Sequence, residues 1–230
     1  MNIELQILLE PLNSLNSLNS INFFDRFGIM AFWGSDSTFI DSVALCLTDP
    51  LVWVPLFVSL LYLVIHSHPN NRERLVCIGA VCVCLALSAG VCNLIVKPLV
   101  CRPRPCNVEE LRLMFPIPGG YGEKNYSFFS SHAANYMGLT TFFFLLVRNK
   151  IMTIAMVLLT LVNIWTRLYL GQHYLSDICV GLLWGVVSGT LAWQVYKKYS
   201  QGRPDFSNSD PLIVSTVFFA TVLLTMLYCV

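Results

Sequence analysis

Six stretches of this chain are each long and apolar enough to cross the hydrocarbon core of a membrane, which is about 30 Å thick. Only 12% of the 230 residues are charged and 56% are hydrophobic, whereas a soluble domain carries about 25% charged residues. The sequence therefore predicts an all-α polytopic membrane helix bundle with six transmembrane helices, and it argues against a soluble enzyme. The predicted spans are Leu51–Ser67, Leu75–Val96, Phe128–Val147, Ile151–Leu170, Tyr174–Tyr196 and Leu212–Val230.

Residues 1–50 differ from the rest because acidic residues interrupt their apolar stretches. Asp25, Asp36, Asp41 and Asp49 all fall between residues 23 and 50. A carboxylate at the centre of a spanning helix costs about 2.5–3.5 kcal/mol on insertion scales. We therefore expect an N-terminal amphipathic segment that lies at the membrane interface, followed by a six-helix domain over residues 51–230.

The distribution of cations predicts the orientation of the bundle. Seven cations lie in short loops on one side: Arg72, Arg74, Arg148, Lys150, Lys197, Lys198 and Arg203. Seven lie on the other side, mostly in one long loop: Arg26, Lys97, Arg102, Arg104, Arg112, Lys124 and Arg167. Cations of short loops dominate the positive-inside rule. The first set is thus expected in the cytoplasm, with both termini and the second set outside.

Polar and charged residues gather at the outward ends of the predicted spans. Lys97 ends the second span, Arg104 follows it, Arg167 lies near the end of the fourth, and Ser130 and Ser131 open the third. Ionisable residues at membrane depth are costly and mark functional sites. A phosphate monoester carries a charge of roughly −1.5 to −2 near neutral pH, and helix N-termini favour such anions. The pattern predicts a phosphate-binding site.

Two histidines of the same face supply the groups for phosphoryl chemistry. His173 and Asp177 are four residues apart, so on a helix the carboxylate can orient the imidazole and leave its other nitrogen as a nucleophile. His132 comes from another span and can protonate a leaving oxygen. Two further interpretations remain open: a structural His173–Asp177 contact, and a metal site formed by the same three side chains. Three nearby cations argue against a metal ion.

Three motifs in this order resemble those of the type-2 phosphatidic acid phosphatase superfamily. Residues 97–105, KPLVCRPRP, resemble its K-x6-R-P signature, and residues 129–132, FSSH, resemble P-S-G-H. Residues 166–177 resemble S-R-x5-H-x3-D. The sequence departs from the family at three positions, since Phe129 replaces Pro, Ser131 replaces Gly and Thr166 replaces Ser. None of these changes removes a reacting group.

The resemblance implies a role for each matched residue. It implies that His173 forms a phosphohistidine supported by Asp177 and that His132 protonates the leaving group. It also implies a metal-independent reaction with no cofactor. The residues that would bind the substrate phosphate are Lys97, Arg104, Ser130, Ser131 and Arg167.

The long loop at residues 98–127 contains five prolines and three glycines and is too long for a simple connection. It is either a lid or headgroup-binding loop over the site, or a solvated loop. Cys101 and Cys106 lie in it, and a disulfide between them is an open alternative; the nine cysteines show no zinc spacing.

These observations favour a phosphatase in a bacterial inner membrane that acts on a lipid phosphate or diphosphate from the periplasmic side. Undecaprenyl diphosphate and lipid A are the favoured substrates implied by the resemblance. We expect contacts with membrane lipids and no obligatory protein partner. We expect no nucleic acid, since a net charge of only +1 gives no reason for a polyanionic partner. The alternatives are a phosphotransferase that uses the same phosphohistidine, and an anion or lipid transporter.

Overall fold

The computed structural model describes residues 21–202 and 204–230. Residues 1–20 of the predicted N-terminal segment lie outside this range, as does Arg203, one of the cations used above for orientation. The described residues form helices, turns and loops without a strand. The predicted all-α membrane bundle is confirmed.

The described helices follow one another along the chain with short connections, apart from the loop after residue 100. We number them in chain order: α1 (Phe23–Phe32), α2 (Thr38–Thr48), α3 (Pro50–Ser67), α4 (Asn71–Val100), α5 (Glu109–Met114), α6 (Ser131–Val147), α7 (Lys150–Tyr169), α8 (Leu175–Tyr199) and α9 (Ser209–Tyr228).

Five of these helices are long and apolar enough to cross a membrane by length and composition: α3, α4, α7, α8 and α9. The remaining predicted span, Phe128–Val147, forms α6, which has 17 residues and is therefore about 25 Å long at 1.5 Å per residue. That length is at the lower end of the range for a spanning helix.

Polar side chains set the helix starts a few residues away from the apolar runs. Asn70 accepts a hydrogen bond from the backbone N–H of Glu73 at 3.0 Å, so α4 begins at Asn71 instead of Leu75. Ser130 caps α6 in the same way, and that helix begins at Ser131 instead of Phe128. Such caps satisfy backbone donors that the first helical turn leaves free. Two π-helical turns between Ala86 and Val96 then shift the phase of α4 before Lys97.

Helices α6 and α8 pack closely because α8 presents small residues to α6. A side chain added at Gly185 would bring its Cβ within 2.7 Å of the Ala134 carbonyl oxygen. The glycines of α8 recur every fourth residue, which lets two backbones approach as they do in many membrane helix pairs. This packing places the start of α6 against the start of α8. The three glycines are Gly181, Gly185 and Gly189.

The largest apolar core contains residues of α2, α3, α4, α6, α7, α8 and α9, and Trp53, Phe142 and Leu159 are fully buried in it. Helices α1 and α2 have 10 and 11 residues and pack at one end of this bundle. The backbone N–H of Gly34 donates to the carbonyl oxygen of Tyr169 at 3.0 Å. The position of the N-terminal segment at a membrane interface stays a prediction.

Candidate active site

The eight residues selected from the sequence lie at one end of the bundle, where α4 and α7 end and α6 and α8 begin. The turn between α7 and α8 holds His173 in place. Gly171 adopts a left-handed backbone conformation there (φ +62°), and the Trp33 ring would lie 2.5 Å from any Cβ at this position. Glycine is the residue that adopts such a conformation without steric cost.

His173 is buried, and its two ring nitrogens have different neighbours. Arg104 Nη1 lies 3.1 Å from His173 Nε2. Because a guanidinium can only donate, Nε2 must accept, and the neutral ring then carries its proton on Nδ1. His173 Nδ1 lies 3.5 Å from Asp177 Oδ2. The lone pair suited to attack on phosphorus is therefore that of Nε2, and it here accepts the hydrogen bond from Arg104.

The surroundings of His173 keep its imidazole neutral. Burial, followed by the positive charges of Arg104, Arg167 and Lys97, lowers the pKa of His173 well below its usual value. A neutral imidazole retains the lone pair that a nucleophile needs. The ring is thus ready for attack near neutral pH.

Asp177 is held rigidly at the start of α8. Its Oδ2 accepts a hydrogen bond from the backbone N–H of Tyr174 at 3.0 Å. Its Oδ1 accepts one from Arg102 Nη1 at 2.6 Å. The carboxylate is fully buried, so these partners fix its orientation toward His173.

Two arginines beside His173 bind one carboxylate. Arg104 Nη2 donates to Glu123 Oε2 at 2.6 Å, and Arg167 Nη2 donates to Glu123 Oε1. Both guanidinium groups are almost completely buried. Although burial opposes ionisation, the charges of Arg167 and Arg104 lower the pKa of Glu123 to about 2. The site therefore binds an anion from its own chain.

The remaining members of the predicted phosphate site are Lys97, Ser130 and Ser131. Lys97 is buried and interacts electrostatically with Arg104, Glu123 and Arg167. Ser130 is fully buried and accepts a hydrogen bond from the N–H of Ala133. Ser131 is the first residue of α6, where backbone N–H groups have no partner within the helix.

His132 lies where this polar site meets an apolar cavity. It interacts electrostatically with Arg167, Glu123, Arg104 and Lys97. The same side chain lines a cavity of about 470 Å³ between α3, α4 and α6. Other lining residues are mostly apolar, among them Leu60, Val81, Leu85, Leu139 and Phe143.

Several functional contacts were not anticipated from the sequence. Glu123 and Asn125 of the long loop both accept hydrogen bonds from Arg104. Thr48, at the end of α2, accepts one from Arg167 at 2.9 Å. Arg102 bridges Asp177 and Asp25. An acidic residue beside a predicted cationic site was the one signal that pointed to Glu123.

These contacts change the formal charge of the predicted site. Lys97, Arg104 and Arg167 against Asp177 have a formal charge of +2. The assembled site also contains Arg102, Asp25 and Glu123, which brings the formal charge to +1. Without Glu123 it would be +2, close to the charge that balances a phosphate dianion.

The long loop forms part of the site through Arg104, Tyr121, Glu123 and Asn125.

Cys101 and Cys106 both carry free thiols, and the first is exposed while the second is buried. Among residues 21–202 and 204–230, no group of three or more His, Cys, Asp or Glu side chains is arranged to bind a metal ion.

Comparison with known proteins adds to this geometry. The model of the PAP2 superfamily matches residues 78–201, which is more than half of the chain. The chain belongs to the PAP2 superfamily. The resemblance seen in its three motifs is thereby confirmed, and membership supports a membrane phosphatase.

Two curated PAP2 relatives are similar over most of the chain. A lipid A 4'-phosphatase of Bacteroides thetaiotaomicron is 33% identical over 172 residues, which cover 74% of this chain and 76% of the relative. A lipid A 4'-phosphatase of Porphyromonas gingivalis is 26% identical over 170 residues, which cover 74% of this chain and 71% of the relative. No solved structure matches the chain.

Proposed function

We propose that this PAP2 protein removes a phosphate from a lipid A-type glycolipid through a phosphohistidine on His173. The observation that carries the proposal is that Arg104 and Arg167 bind the same carboxylate while Arg104 also contacts His173 Nε2. Lipid A is favoured over undecaprenyl diphosphate because both curated relatives are lipid A 4'-phosphatases.

The reaction follows from the positions of the two histidines. The substrate phosphate replaces the Glu123 carboxylate on Arg104 and Arg167, and His173 Nε2 attacks phosphorus. The ester P–O bond breaks, and the departing oxygen takes a proton from His132. His132 then removes a proton from water, the resulting hydroxide attacks phosphorus, and the P–N bond breaks to release inorganic phosphate.

Asp177 supports this sequence of steps. His173 becomes positively charged when phosphorus bonds to Nε2 while Nδ1 keeps its proton. The Asp177 carboxylate 3.5 Å away stabilises that charge. Removing the equivalent orienting anion in other catalytic sites lowers rates by about 10⁴-fold.

The apolar cavity supports a lipid substrate. It begins at His132 and extends between α3, α4 and α6, so it can take an acyl chain while the phosphate lies on the arginines. Asn135 lines the cavity, and its buried Oδ1 has no hydrogen-bond partner among the described residues. That oxygen can accept a hydrogen bond from a hydroxyl or amide of the lipid.

The proposed sidedness is periplasmic. The site lies at the end of the bundle away from Arg72, Arg74, Lys197 and Lys198, and cations of short loops favour the cytoplasm. A site at helix ends also fits a lipid headgroup better than a transported solute, since transporters bind near the midplane.

Phosphate release from a panel of lipid phosphates tests the proposal. Purified protein should release phosphate from lipid A, and His173→Ala should abolish release without a loss of thermal stability. ³²P-labelled substrate should trap an acid-labile phosphoenzyme in the unmodified protein. Label that appears on a second lipid instead of as free phosphate would indicate a phosphotransferase, and an inactive unmodified protein would contradict the proposal.

A further inference from the structure

Asp25 of helix α1 is joined to the catalytic centre through a single arginine. The Arg102 guanidinium donates from Nη2 to Asp25 Oδ2 at 2.7 Å and from Nη1 to Asp177 Oδ1 at 2.6 Å. The Arg102 Cζ atom lies 3.8 Å from the centre of the Tyr174 ring. Asp25 therefore contacts the same cation that orients the carboxylate behind His173.

The surroundings of Asp25 stabilise its ionised carboxylate. The carboxylate is fully buried. Besides Arg102, it accepts hydrogen bonds from the N–H and hydroxyl of Ser176 at 2.8 and 2.9 Å and from the side chain of Asn22 at 2.8 Å. Although burial opposes ionisation, the hydrogen bonds from Arg102 and Ser176 lower the pKa of Asp25. The group stays negatively charged.

The charges explain what Asp25 does for the site. Without Asp25, the charge of Arg102 would neutralise that of Asp177. The Asp177 carboxylate would then attract a positive charge on His173 only weakly. With Asp25 on the other side of the guanidinium, the three groups together keep a formal charge of −1. The negative charge that a phosphohistidine needs is thereby preserved.

We propose that Asp25 is a positioning residue that acts through Arg102 to orient Asp177 and to preserve its negative field on His173. Asp25 lies outside residues 78–201, the part that the superfamily model matches. The N-terminal segment would thus complete the catalytic centre. The inference rests on the proposed function, because it takes His173 as the nucleophile.

The test compares Asp25→Asn with Asp36→Asn, which changes an exposed carboxylate of the same segment. Asp25→Asn should lower kcat by about 10- to 100-fold, less than loss of the orienting anion itself, with KM unchanged because Arg104 and Arg167 still bind the phosphate. Its affinity for vanadate, which mimics five-coordinate phosphorus on His173, should fall by a similar factor. Asp36→Asn should behave like the unmodified protein.

Ser176→Ala provides a second variant in case Asp25→Asn does not fold. It removes one hydroxyl that accepts from Arg102 and donates to Asp25, and it should lower kcat severalfold at constant KM. Unchanged kcat in the folded variants, or a rise in KM alone, would overturn the role of Asp25. An unmodified protein that neither releases phosphate nor binds vanadate would instead overturn the proposed function.

Discussion

The Glu123 carboxylate pairs with the Arg167 guanidinium at the place where the proposed mechanism needs a phosphate. Its other oxygen pairs with Arg104, so a substrate must displace Glu123 before both arginines can bind it. The loop that carries Glu123 also contacts the two arginines through Tyr121 and Asn125. Loop and substrate compete for the same two cations.

Glu123→Gln should therefore bind anions more tightly. Without the competing carboxylate, two buried guanidinium groups are left uncompensated, which is costly. We expect the inhibition constant of inorganic phosphate to fall by about tenfold, equivalent to about 1.4 kcal/mol. Glu109→Gln changes an exposed carboxylate in the same loop and should leave that constant unchanged. Weaker phosphate inhibition in Glu123→Gln would show that Glu123 arranges the arginines and does not compete.

The pH dependence of kcat/KM should reflect the environment of His173. Burial and the charges of Arg104 and Arg167 lower its pKa well below the usual value. Since attack requires the neutral ring, activity falls only as the pH drops through this lowered pKa. We expect kcat/KM to show no His173 inflection near pH 6.5. The ionisation of the substrate phosphate, with a pKa of about 6, is measured separately by ³¹P NMR. An additional fall in kcat/KM as the pH drops through 6.5 would contradict the assignment, whereas the proton donor His132 would lower activity as the pH rises.

Gly185→Ala should destabilise the bundle. The new Cβ would lie 2.7 Å from the Ala134 carbonyl oxygen, so α6 and α8 must separate at a cost of about 1–3 kcal/mol. Thermal unfolding in detergent should shift to lower temperature. Gly79→Ala is the matched control, because nothing lies within 4 Å of its added Cβ, and it should leave stability equal or higher. Equal melting temperatures for both variants would contradict the close packing.

Chelation should leave the activity intact. The positive charges beside His173 come from Lys97, Arg104 and Arg167, and these side chains can balance the phosphate without an ion. Protein treated with EDTA in detergent micelles should release phosphate at the same rate as untreated protein. Activity lost on chelation and restored by zinc or magnesium would favour the metal alternative at His132, His173 and Asp177.

Impermeant maleimide labelling tests the orientation. Asn125 contacts Arg104, so a probe is better placed at its exposed neighbour Lys124. In a cysteine-free background, Lys124→Cys should react in intact spheroplasts, whereas Asn71→Cys, at the opposite end of α4, should react only after lysis. The reverse pattern would place the site in the cytoplasm and remove outer-leaflet lipid A as a substrate.

The sequence by itself was sufficient to predict the membrane helices and to identify the polar residues at their ends. Apolar runs of about 20 residues cross a bilayer only as helices, because backbone groups have no water to bind there. Alternation of crossings then brings Lys97, Ser130, Arg167 and His173 to one face whatever the details of packing. The three motifs and the His173–Asp177 spacing could be read directly from the chain.

Only the tertiary structure revealed which groups complete the site. Asp25 lies on a short helix of the N-terminal segment and Glu123 lies in the long loop, and their local sequence does not identify Arg102 or Arg167 as their partners. In the sequence, Asp25 argued against a spanning helix because inserting a carboxylate into a bilayer costs free energy. That argument does not indicate which residue Asp25 contacts. Long-range ion pairs depend on where loops and short helices pack, and that is decided by the close approach of α6 and α8 and by the turn at Gly171.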